Sequence, residues 1–96
     1  MNKRDELKAM LSAVDELVAK MKKKLCDKAR DGYSGGLDDS NRDVVAKKLM
    51  EHAERLTGYC LHCKTMDGEH YHEEEARQAI DVANFAMMLW FIEGKP

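Results

Sequence analysis

The chain contains one proline, Pro96, at its last position. No residue before it is barred from helix by a fixed φ or a missing N–H. Aromatic residues are 6% of the chain and β-branched residues are few, so sheet is disfavoured. Cysteine is scarce and odd in number, three in all, and the thiols are expected to be reduced. A net charge of −2 gives no global case for nucleic acid or an anionic membrane as partner. The longest apolar stretch, residues 79–92, is interrupted by Asp81 and Asn84. A membrane span needs about 20 apolar residues, so no membrane segment is expected. Met1-Asn2-Lys3-Arg4-Asp5-Glu6 has no apolar region of the kind a signal peptide carries. Together these absences predict a cytoplasmic protein.

What is present is globular: 44% hydrophobic and 35% charged residues. The 96 residues make a single domain with one modest core. A chain of this size buries about 60–65% of its unfolded surface, so a second copy would help it. The pattern predicts an all-α fold. A first helix spans about 5–30, with Leu7, Leu11, Val14, Leu17, Val18, Met21 and Leu25 on one face. The glycines of residues 32–36 end it. A second helix spans about 40–57, with Ser40 and Asp43 as a capping box and Thr57-Gly58 as its stop. Its apolar stripe is Val45, Leu49, His52, Ala53 and Leu56, where His52 reads as a satisfied core histidine. A loop over 58–72 holds the Cys/His residues, and a third helix spans about 73–92 behind an acidic first turn. The second and third helices form a hairpin. The third is apolar almost all round from Ala79, which two helices of one chain can scarcely cover. An oligomeric bundle, a homo-oligomer, is therefore expected.

Three groups of residues could carry chemistry. Glu74, Arg77, Gln78, Asp81, Asn84 and Met88 share one side of the third helix. A carboxylate among Ile80, Val82, Ala83 and Phe85 needs compensation. It could come from a salt bridge to Arg or Lys of another helix, from a divalent metal or polar ligand, or from an exposed edge. Glu51 and Glu54 place two carboxylates one turn apart on the second helix, a spacing suited to Mg²⁺. By wheel counting they flank the apolar stripe. Two such helices could bring carboxylates to one Mg²⁺, which would polarise a phosphoanhydride and activate water. The basic run 20–28, with Lys24 and Lys28, could hold the phosphates, or be a solvated helix end. Tyr33 could stack on a base or cover the helix end.

Lys28 to Asp39, Lys48 to Leu56 and Asp81 to Trp90 resemble small phage-encoded proteins similar to the MazG-like, all-α nucleotide pyrophosphohydrolases. Those segments are about a third of the chain. The resemblance implies an E-x-x-E pair and a later E-x-x-D pair that bind Mg²⁺. It implies hydrolysis of a nucleoside triphosphate to monophosphate and pyrophosphate by a dimer or tetramer, in a bacterial host cytoplasm. Carried over, it places Glu51, Glu54 and Asp81 at the metal and Asn84 as a nearby polar contact. This sequence departs from the pattern in three places. Gln78 stands three before Asp81 where the pattern has Glu. Gly36 stands where a Trp is expected, and 57–75 is longer than a short hairpin loop. A runner-up reading follows from these departures: a non-catalytic phage accessory protein that binds a host protein or sequesters a nucleotide.

The third group is Cys60, Cys63, His70 and His72, a C-x2-C-x6-H-x-H arrangement. Thiolates and imidazoles suit tetrahedral Zn²⁺, which gives the reading of a zinc-stapled interaction module. A polar loop with reduced cysteines is the alternative. A redox C-x-x-C lacks its usual βαβ setting. Cys26 reads as packed or inert.

Overall fold

The computed structural model describes residues 1–61 and 72–95. These form three helices, α1 (Lys3–Arg30), α2 (Arg42–Leu61) and α3 (His72–Ile92), with a short 3-10 turn at Asp39–Asn41 before α2. The all-α expectation holds, with no strand among the described residues. The chain divides into two compact units, Met1–Tyr33 and Ser34–Pro96. No helix among the described residues is long and apolar enough to cross a membrane.

The first unit is α1 and its C-terminal cap. The helix begins two residues earlier than its apolar stripe predicts because Asn2 caps it: Asp5 N–H donates to Asn2 Oδ1 at 2.8 Å. Asp5 and Glu6 sit at the positive end, Lys28 and Arg30 at the negative end. Asp27 ties the last turns together, accepting from Lys23 Nζ at 3.0 Å and from Arg30. The hydrogen bond from Lys23 is the main reason its carboxyl lies below the ordinary range. Gly32, at φ +92°, lets the chain reverse so that Tyr33 N–H donates to Lys28 O at 3.0 Å. Lys28 Nζ then lies 4.7 Å from the centre of the Tyr33 ring.

The second unit is a hairpin of α2 and α3. Its entry differs from the predicted capping box. Asp38, not Ser40, is the cap: Ser40 N–H and Oγ both donate to Asp38 Oδ1 at 2.9 Å. A carboxylate is the stronger acceptor, and these bonds, the backbone one first, lower the Asp38 pKa. Gly35 is needed here. At φ +85° its carbonyl accepts from Asn41 Nδ2 at 2.7 Å, and an added Cβ would lie 3.0 Å from that nitrogen. The predicted stop at Thr57-Gly58 is also corrected, since α2 runs through it to Leu61. Thr57 Oγ1 donates to Glu54 O at 3.0 Å, satisfying its hydroxyl inside the helix. Glycine in a helix costs only about 0.5–1 kcal/mol, which packing on α3 outweighs. Residues 58–61 of the predicted loop are therefore helical, and His72 opens α3.

Cross-helix pairs fix the antiparallel register. Arg42 Nε meets Glu93 Oε1 at 2.9 Å at one end, and His52 meets Gln78 in the middle. Among the described residues, Val45 and Ile92 are the buried apolar side chains, and Gln78 and Asn84 are buried polar ones. The apolar α3 is covered only in part: Trp90 is 50% exposed and Phe91 37%.

Candidate functional site

The middle of the hairpin is polar. Val45, Leu49, His52 and Leu56 recur at three- and four-residue steps, which turns His52 toward α3 with the apolar stripe. The same spacing turns Gln78, Asp81 and Asn84 of α3 toward one side. The two sides meet. His52 Nδ1 lies 2.7 Å from Gln78 Oε1 and 3.5 Å from Asp81 Oδ2. The shorter contact makes Nδ1 the protonated nitrogen, donating to the amide oxygen, which accepts only. The imidazole packs on Phe85, ring centres 5.1 Å apart and planes at 35°. Burial falls unevenly over the cluster. Asn84 is 5% and Gln78 8% exposed, while the His52 and Asp81 side chains keep 18% and 13%.

The carboxylate of Asp81 therefore faces an imidazole of α2. Glu51 is half-buried and Glu54 exposed, one residue before and two after His52 along α2. A single step along a helix rotates a side chain by 100°, so the acids do not share the direction of His52. Among the described residues no three His, Cys, Asp or Glu side chains gather to hold a metal ion. Mg²⁺ wants several oxygen ligands in octahedral array. Here the Gln78 oxygen accepts from His52, and Asp81 has the same ring beside it. The side chains at this seam do not fit the implied ion.

Gly36 also acquires a reason. An added Cβ there would stand 3.1 Å from Met88 Sδ, so the Met88 thioether occupies the space a larger side chain would need. Tyr33 has the Lys28 ammonium on its ring, within the first unit. Lys24, in the same unit, is half-buried.

Of the Cys/His group, Cys60 lies in the last turn of α2 and His72 in the first turn of α3. Cys63 and His70 lie outside the described residues. Loss of solvent around the thiol, then the Glu75 carboxylate beside it, push the Cys60 pKa up, although the residue as a whole is exposed. Such a thiol is a poor nucleophile. Cys26, read as packed or inert, is exposed and so not packed.

No protein-family model, curated protein or solved structure matches the chain.

Proposed function

We propose that this chain is a MazG-like helical hairpin that binds a nucleoside triphosphate without hydrolysing it. One observation carries the reading. The His52 imidazole of α2 meets both Gln78 and Asp81, at a seam where hydrolysis would need carboxylates. An amide oxygen and a carboxylate sharing one imidazole are a poor donor set for Mg²⁺. The chemistry that remains is recognition. His52 and Asp81 are the members of the cluster that keep solvent contact. An aromatic imidazole can stack on a base, and a carboxylate beside it can accept from an exocyclic amine.

The test uses the full chain with a panel of ribo- and deoxyribonucleoside triphosphates. Pyrophosphate release with Mg²⁺ is expected to stay at the protein-free level. At least one nucleotide should raise Tm in the absence of metal, an effect lost in Asp81→Asn. Pyrophosphate release that Asp81→Ala abolishes would overturn the non-hydrolytic reading. A Tm unmoved by every nucleotide would overturn nucleotide binding. The second reading would then stand, a module that binds a host protein. Its support is the exposed Trp90 and Phe91 at the end of α3, a residue type favoured at protein interfaces. Zinc by elemental analysis of untagged protein addresses the stapled module separately; a metal-to-protein ratio near zero removes it.

A further inference from the structure

The longest helix carries an apolar seam. Leu7, Leu11, Val14, Val18, Met21 and Leu25 follow one another at steps of 4, 3, 4, 3 and 4 residues. That alternation is the heptad pattern of a coiled coil, in which two helices bury a narrow line of side chains against each other. No residue of α1 is buried. Its N-terminal half is the more open: Leu7, Met10 and Val14 are each 53% exposed, Leu11 58% and Val18 37%.

We propose that a second copy of this chain covers this face, the two α1 helices pairing antiparallel about a two-fold axis between residues 12 and 13. The charges beside the seam select both the orientation and the register. In this arrangement Leu7 meets Val18 of the second copy and Leu11 meets its Val14, giving four apolar layers by symmetry. On one flank Lys8 meets Asp15 of the second copy, twice over. On the other flank the exposed Met10 meets the half-buried Leu17, which widens the apolar contact. Like charges meet only beyond the layers, at Lys3 and Lys24.

The alternatives are worse on the same residues. An antiparallel pair shifted by one heptad, so that Leu7 meets Leu25, gains two layers. It sets Lys8 against Lys22 and Asp15 against itself. A parallel pair sets Lys3 beside Lys8 and faces Asp15 with Met10, with no attractive charge pair on either flank. It also aligns the two basic ends, residues 20–30, side by side. Antiparallel pairing sets residues 20–24 against residues 1–5 of the other copy, which carry charges of both signs, and opposes the helix dipoles.

The experiment is sedimentation equilibrium on the full chain across the micromolar to low-millimolar range, with far-UV circular dichroism to confirm that each variant is folded. The chain is expected to dimerise, and Val14→Lys to make it monomeric. Lys8→Glu alone and Asp15→Lys alone should each weaken the dimer roughly ten-fold. The two together should return its dissociation constant to within about three-fold of the unaltered chain. A monomer at every concentration overturns the proposal. So does a dimer indifferent to Val14→Lys. A double variant as weak as the single ones overturns the register, because only the proposed alignment brings residues 8 and 15 together.

Discussion

Replacing His52 by alanine tests whether the polar seam is a coupled unit. The substitution removes the ring packed on Phe85, a contact of about 0.5–1.5 kcal/mol beyond the buried area. It also strips the Gln78 amide, 8% exposed, of the partner 2.7 Å away. Leaving a buried amide unsatisfied costs about 1–3 kcal/mol. The sum is about 1.5–4.5 kcal/mol, which at about 4–8 °C per kcal/mol for a domain of this size lowers Tm by about 6–36 °C. Gln78→Ala removes the other partner and should cost about 1–3 kcal/mol by the same reasoning. The double variant should fall short of the sum by about 1–2 kcal/mol, because the shared bond is lost once. Urea unfolding read by Trp90 fluorescence reports on the hairpin, since Trp90 is the single tryptophan and lies on α3. Additivity within about 0.5 kcal/mol would refute the coupling and the hydrogen bond with it.

Two glycines should respond in opposite directions. Gly35→Ala forces an L side chain into φ +85° with Asn41 Nδ2 at 3.0 Å, and should destabilise by about 1–2 kcal/mol. Gly58→Ala sits inside α2 with nothing within 4 Å of the added Cβ, and should stabilise by about 0.5–1 kcal/mol. Asp38 should make the hairpin's stability depend on pH. Its pKa is lowered in the folded state by bonds from Ser40, so its contribution is fully present above the ordinary value, about 3.9. It is lost as pH falls through the lowered folded value. The Tm difference between the unaltered chain and Asp38→Ala should therefore shrink on acidification below about pH 4; a constant difference would contradict the cap.

The elements were legible where period alone decides them. The seam of α1 and the polar stripe of α3 are read from spacing, and both fall on the helices observed. Boundaries depended on single acceptors that compete. Asn2 precedes the apolar stripe and so gave no periodic signal, yet its side chain starts α1. Ser40 looked like the cap because its hydroxyl is a good acceptor, but in the structure it donates to Asp38. Thr57-Gly58 looked like a stop because local propensity was weighed without the packing of α2 on α3. At the site, the stripe Gln78, Asp81, Asn84 was found and His52 was placed on the inward face. What escaped was that these belong together. Choosing the α2 partner of Asp81 by residue type selects Glu51 and Glu54. Choosing it by direction selects His52, because the inward face of α2 runs through Val45, Leu49, His52 and Leu56. A wheel already held that answer; what it lacked was the antiparallel register that brings residue 52 level with residues 78 and 81.

That seam is hard to explain as a device for stability. A buried polar cluster replaced by well-packed apolar residues of similar shape is often neutral or stabilising. The hairpin had apolar residues to spend there. Val44 and Met50 of α2 are each 54% exposed, and Trp90 of α3 is 50% exposed, while Gln78 and Asn84 are buried. Arranged for the stability of a lone hairpin, the apolar side chains would line the interior and the amides the surface. The observed distribution is the reverse along part of both helices. It is the distribution that the proposed binding of a nucleotide, and the second reading of a host-protein partner, would each require. The two proposals can fail separately. Nucleotide binding depends on His52 and Asp81 in the second unit, and self-pairing depends on Val14 and Asp15 in the first. A Val14→Lys chain that is monomeric yet still gains Tm with a nucleotide would show that the seam binds without the dimer. One that loses both would tie nucleotide binding to self-pairing.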